Sequence, residues 1–223
     1  MIQIDQIVRS KRKTIALIIQ HDGTLVVRAP LRATDKRIRE LVEQKADWVR
    51  AKQTYIRTHA PRSTPKTYAP GETFLYLGQP YPLTLVAAAP KPLTLALGQF
   101  CLKKSSVPQA PLIFTRWYVQ QARAVFTERV ELYAAHHGFS YKLIRISSAR
   151  TRWGSCSTRG TLSFTWRLIM APLPIIDYVV VHELAHTLHH NHGKDFWNLV
   201  RSIVPDFKEK VAWLSKNGEL LNL

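Results

Sequence analysis

Five of the nine histidines of this 223-residue chain fall within eleven positions, His182-Glu183-Leu184-Ala185-His186-Thr187-Leu188-His189-His190-Asn191-His192. Within that stretch, His182, Glu183 and His186 form an H-E-x-x-H motif. On a helix, positions i and i+4 lie one turn apart on the same face. Two imidazoles at that spacing can bind one divalent ion, and Glu183, one step round, can take a proton from the water the ion activates. Chance supplies such a motif in a chain of this composition on the order of once in a hundred. A catalytic zinc site takes three protein ligands and leaves a fourth position open. Two histidines compete for the third place. His189 is seven residues from His182 and stays within about 20° of the same face of an unbroken helix. His192 is ten residues on, about 80° away, and reaches the ion only if the helix ends first. Asn191 and Gly193 mark a place for that ending. Spacing alone leaves both open. His190 points elsewhere on a helix.

These residues need a buried helix to hold them. The run Ile175-Ile176-Asp177-Tyr178-Val179-Val180-Val181 supplies its apolar surface. Pro172-Leu173-Pro174 introduces it, Asp177 suits the positive end of its dipole, and it is expected to run to about His190. Two short helices follow at 194–204 and 206–216, separated by Pro205. Upstream, strand-like pieces are expected at 140–147 and 161–168. A long helix over about 112–136 precedes them, ended by His136-His137-Gly138. Earlier still come strand-like pieces at 73–77, 81–87, 92–97 and 99–103, and a loop at 60–71. Residues 34–58 carry helical spacing, with Thr34 or Asp35 as cap. Runs at 2–9, 13–20 and 24–29 read as strands, the last two joined by a hairpin turn at Asp22-Gly23. The expected class is α+β. Residues 1–107 form a β-rich N-terminal region with one long helix, and 108–223 a domain carrying the H-E-x-x-H motif. The boundary is expected between Ser105 and Pro111.

Composition narrows the function classes. Apolar residues make up 46% of the chain and charged residues 21%, which allows a packed core and argues against disorder. No apolar run reaches the roughly 18 residues of a membrane span. The first residues lack the basic-then-apolar layout of a signal peptide. Cys101 and Cys156 form no C-x-x-C pair, which excludes a disulfide framework or cysteine zinc ribbon and suits a reducing, cytoplasmic setting. Lys plus Arg number 32 against 15 Asp plus Glu, a formal charge of +17. Residues 1–160 hold 26 of those bases and nine of the acids, and no acid occurs between Glu131 and Asp177. A field of that sign favours anionic partners such as phosphates, nucleic acid or acidic peptides. The plainer reading is a basic, solvated surface. Lys11-Arg12-Lys13 likewise admits phosphate contacts or a charged strand edge.

His182-Glu183-Leu184-Ala185-His186, then His192, then Phe196-Trp197, resembles the pattern of the YgjP-like zinc metallopeptidase family, which is related to the SprT-like and WLM zinc peptidases. Arg152-Trp153-Gly154-Ser155-Cys156-Ser157 resembles a further segment of that family, and Leu162 to Leu168 the strand that follows it. Residues 30–49 and Gly71 to Gly78 resemble its N-terminal half more loosely. The resemblance implies a zincin-like C-terminal domain, a Zn2+ cofactor, His182, His186 and His192 as metal ligands, and Glu183 as the catalytic base. Two positions depart from expectation. Thr165 stands where Asn is expected. The spacing from His182 to His192 equals that of metzincins, but their helix-ending Gly is replaced by His189.

The leading expectation is a zinc-dependent peptidase, with the strand near 161–168 lining the cleft and holding an extended peptide by strand addition. Arg152, Arg167, Tyr178 and His190 are candidates to stabilise the developing oxyanion. Asp195 and Asp206 are candidates to orient ligand histidines, or helix caps. Trp153, Trp166 and Trp197 read as core aromatics and Cys156 as a small buried residue. Two alternatives keep the metal: a nucleoside triphosphate pyrophosphatase using the basic stretch beside the site, and a nucleic-acid-associated SprT-like protease.

Overall fold

The computed structural model describes residues 2–20, 23–59 and 65–223. By its internal contacts the chain divides into two compact units, Met1–Arg62 and Ser63–Leu223.

In the first unit, β1 (Gln6–Ser10), β2 (Ala16–Ile19) and β3 (Leu25–Pro30) form a sheet of order β1-β3-β2. β3 is central because Leu25, Val26, Val27 and Ala29 are all buried, a run that needs cover on both faces. β2 and β3 pair antiparallel as the hairpin signal requires; Asp22 of the expected turn lies outside the described residues. The helical stretch expected over 34–58 is two helices, α1 (Asp35–Gln44) and α2 (Ala46–His59), broken at Lys45. Thr34 caps α1, its hydroxyl accepting from Arg37 N at 3.3 Å. Ile38, Val42 and Val49 pack with Leu25, Val27 and Ala29 in this unit's own core.

In the second unit, β4 (Thr73–Tyr76), β5 (Gln79–Val86), β6 (Leu93–Ala96) and β7 (Gln99–Lys103) form a sheet of order β4-β5-β7-β6. Residues 105–111, the expected boundary, form most of a 3-10 turn and the start of α3 (Ala110–His137). In α3 every fourth residue is buried: Ala110, Phe114, Tyr118, Ala122, Phe126, Val130 and Ala134. Each step of four adds about 40° of rotation, so the buried stripe sweeps about 240° round the helix. Its start therefore meets the four-stranded sheet, Phe114 lying 4.2 Å from Phe74 and 5.3 Å from Phe100 between ring centroids. Farther along, Phe126 meets Phe164 at 5.3 Å. One core thus joins the strands at 73–103 to the histidine-bearing half.

The second sheet of this unit is β8 (Leu143–Ser147), β9 (Gly154–Cys156) and β10 (Thr161–Thr165), in the order β8-β10-β9. β10 runs parallel to β8 and antiparallel to β9. This corrects two expectations. The strand expected through Leu168 ends at Thr165, and Trp166–Met170 is a 3-10 turn. β10 is also central, with both edges paired, so it cannot accept an added strand; β8 and β9 hold the edges.

α4 (Leu173–Ala185) carries the motif and is buried nearly all round, including Ile176, Val180, Val181, Leu184 and Ala185. Its start is anchored by the turn after β4. Leu77 N and Gly78 N donate to Ile169 O and Met170 O at 2.9 and 3.0 Å. Gly78 has φ 81°, and a Cβ there would stand 2.8 Å from Pro172 Cγ, so only glycine fits. A bidentate pair between Arg129 and Asp177, at 2.6 and 2.9 Å, ties α3 to α4. α5 (Lys194–Ile203) and α6 (Phe207–Asn217) close the unit. Among the described residues no helix is long and apolar enough to cross a membrane.

Candidate metal centre

α4 stops at Ala185, five residues before the expected end near His190. Thr187 N turns back to Leu184 O at 2.9 Å, Leu188 N and His189 N to Ala185 O at 3.1 and 2.9 Å, and the Thr187 hydroxyl also donates to Leu184 O. These bonds satisfy the last carbonyls and fold the chain off the helix axis. That early turn returns His192 to the motif. The ring nitrogens of His182, His186 and His192 lie within 4.8 Å of one another, a grouping able to hold a metal ion. His192 Nε2 is 3.1 Å from His182 Nε2. Nitrogens sharing a tetrahedral zinc at 2.0–2.1 Å stand about 3.3 Å apart, so this donor set fits such an ion.

His189 enters the site through its backbone. Its carbonyl is 3.0 Å from His186 Nδ1. A carbonyl only accepts, so Nδ1 carries the proton and Nε2 keeps its lone pair free. His182, half-buried like His186, has its Nδ1 3.5 Å from the Tyr178 hydroxyl, a long contact. Burial, with the neighbouring His186 and His192, pulls His182 down to about 3, and burial also lowers His186. Both are neutral at pH 7, the state in which imidazole binds a metal.

Aromatic rings fix the cluster from below. Phe196, fully buried in the first turn of α5, is stacked on His186 at 4.5 Å and lies 4.7 Å from His192 and 5.0 Å from His182. Trp197 lies 5.6 Å from His192 and stacks on Phe207 at 5.2 Å. The four-residue step from His192 to Phe196 was visible in the sequence, and its packing role follows from α5 beginning at Lys194.

Glu183 is 5% exposed and its Oε2 has no hydrogen-bond partner among the described residues. Burial raises its carboxyl to about 7, against the opposing pull of the Arg152 charge. Gly154 of β9 lies against it: a Cβ there would stand 2.5 Å from Glu183 Oε1. The role of Gly154 is to leave room for the carboxylate, and a three-residue strand offered no periodicity to reveal it.

The remaining candidates separate. Arg152 is exposed and acts on Glu183 by its charge. Arg167 is 8% exposed and committed elsewhere, donating to Asn222 Oδ1 and Ser148 O at 3.0 and 3.1 Å and stacking on Trp166 at 4.3 Å. Tyr178 is buried beside His182, and burial together with Glu183 pushes its hydroxyl up to about 12. His190 is exposed. Asp206 pairs with Lys210 at 2.6 Å and Asp195 is exposed, so the orienting acceptor for His186 is the His189 carbonyl instead. Thr165, where Asn was expected, is buried and donates to Ala149 O at 2.8 Å. Trp166 is a core residue, and Trp153 packs against Gly218.

A profile of the YgjP-like metallopeptidase domain matches residues 13–217. Among solved structures, the metallopeptidase zymogen of abylysin from Pyrococcus abyssi aligns with 41% of this chain and 93% of its own, at 21% identity and a TM-score of 0.38. No curated protein matches the chain.

Proposed function

Because the chain belongs to the YgjP-like metallopeptidase family, we propose that it hydrolyses peptide bonds at a zinc ion held by His182, His186 and His192, with Glu183 as general base. What carries this reading is the meeting of three ring nitrogens at a motif whose buried carboxylate has an Oε2 with no hydrogen-bond partner among the described residues. Three neutral imidazoles leave a zinc ion its full double charge, and such an ion supplies Lewis-acid activation of water and polarisation of the scissile carbonyl.

The protein's own groups supply the rest. Glu183, held near neutrality by its burial, accepts a proton at Oε2 at working pH and returns it to the leaving amine. Gly154 keeps the carboxylate in place, and Phe196 and Trp197 fix the imidazole planes and keep water off their apolar side. Arg152, exposed and with a charge that acts on Glu183, is the proposed partner for charge that develops on the substrate oxygen. β9, at its sheet edge and against Glu183, offers backbone groups to an extended peptide. A long helix and a buried H-E-x-x-H helix packed with a small sheet support a zincin-like reading of this part of the chain.

Metal content by mass spectrometry tests the ligand set. His192→Ala is expected to lose stoichiometric zinc, and His189→Ala to keep it, because His189 acts through a carbonyl that alanine retains. The reverse pattern would exchange the two residues. Retention of a different divalent ion in preference to zinc would correct the metal and leave the ligands standing.

A further inference from the structure

The first unit has a chemistry of its own. Residues 1–62 hold 14 Lys and Arg against six Asp and Glu, a net charge of +8. Within it lies an open groove of about 480 Å3, lined by Lys13, Thr14, Ile15, Pro30, Arg32, Ala33, Arg37 and Leu41. Three cations and a hydroxyl thus share one concavity with apolar walls and no acid in its lining. Lys13, Arg32 and Arg37 are all exposed. Asp35, the acid of the first turn of α1, is already neutralised by Arg9 at 2.5 Å. Arg37 approaches Glu40 only at 3.9 Å, both exposed, so its fork of N–H donors stays available. Beside Lys13, Arg12 has a buried Nε with no acceptor among the described residues. Lys11, Lys36 and Arg39 extend the exposed positive surface beyond the groove.

We infer that this groove binds the phosphodiester backbone of a nucleic acid. Two guanidinium groups match the planar, bidentate geometry of phosphate oxygens better than they match a solitary counter-ion. The groove is open and its charge continues along the surface, which suits a repeating anion more than a single enclosed one. Its apolar walls, Ile15, Pro30 and Leu41, have the character that packs against sugar. The contacts are to backbone, so the binding is independent of base sequence. This inference stands apart from the peptidase reading and shares no residue with it.

Fluorescence anisotropy of the full chain with a fluorescein-labelled 20-base-pair DNA duplex, from 50 to 300 mM NaCl, tests it. Each lost phosphate contact flattens the plot of log K against log salt by about 0.9. The triple variant Lys13→Ala, Arg32→Ala, Arg37→Ala should flatten the slope by about 2–3 and weaken binding at 100 mM NaCl by about 100-fold. The charge-keeping triple Lys13→Arg, Arg32→Lys, Arg37→Lys should retain the slope. A control triple at the break between the helices and on α2, Lys45→Ala, Arg50→Ala, Lys52→Ala, removes the same charge and should change the slope by less than about 1. Equal losses in the groove and control triples would overturn the assignment, as would absence of wild-type binding at 50 mM NaCl. Displacement of the duplex by an equal charge of poly-glutamate would mean a general anion surface and would also overturn it.

Discussion

Glu183→Gln should stabilise the metal-free protein, and by an amount that depends on pH in one direction. Burial raises the Glu183 carboxyl from an ordinary 4.5 to about 7, and one of its oxygens has no hydrogen-bond partner among the described residues. The folded chain therefore holds a proton that the unfolded chain releases. Stability from this group is complete below pH 4.5 and is lost as pH rises from 4.5 through 7. Each pH unit between the two values corresponds to about 1.4 kcal/mol, so the wild type gives up about 3 kcal/mol relative to the amide across that window. His182, pulled down to about 3, works in the opposite sense, gaining stability for the fold as pH rises from 3 to 6.5. It is present in both proteins and cancels in their difference. The assay is urea denaturation of both proteins with chelator present, at intervals from pH 4 to 8.5. The variant's advantage should grow between pH 4.5 and 7 and then level off. A pH-independent difference would refute the reasoning. So would an advantage that shrinks as pH rises, which would mean that Arg152 outweighs burial.

Other perturbations follow from the same contacts. Gly154→Ala places a methyl 2.5 Å from Glu183 Oε1, closer than any contact allows; displacing the base should lower kcat by about 100-fold with zinc content unchanged, read by steady-state kinetics and metal analysis. Phe196→Ala empties the floor under all three imidazoles. It should cost about 3–5 kcal/mol in denaturation and weaken zinc affinity in a chelator competition. Arg129→Ala leaves Asp177 half-buried without its bidentate partner between α3 and α4 and should cost about 3 kcal/mol, measured in urea.

Much of this site was legible because its chemistry is local in sequence. The i, i+4 spacing of His182 and His186 and the apolar run before them defined the helix and the face that carries both imidazoles. The third position was not legible from spacing. Asn191 and Gly193 suggested an end five residues too late, and only the turn bonds from Thr187, Leu188 and His189 bring His192 round. β9 escaped notice because three residues carry no period, although its Gly154 defines the space for Glu183. The apolar run Leu162 to Leu168 read as one strand because periodicity cannot separate a buried strand from a buried 3-10 turn. The break at Lys45 carries no glycine or proline, so α1 and α2 read as one helix. Partners distant in sequence, such as Arg167 with Asn222 and Arg129 with Asp177, are set by tertiary packing and left no local signal.

The most direct measurement of the central claim is a product comparison by mass spectrometry. Zinc-loaded wild type and Glu183→Gln each meet one mixture of a peptide library and nucleoside triphosphates. The account predicts peptide cleavage by the wild type alone, with zinc retained in both proteins. Equal cleavage by the variant would remove Glu183 as the base. Release of nucleoside monophosphate and inorganic pyrophosphate by the wild type, with every peptide intact, would contradict the assignment of the peptide bond as substrate.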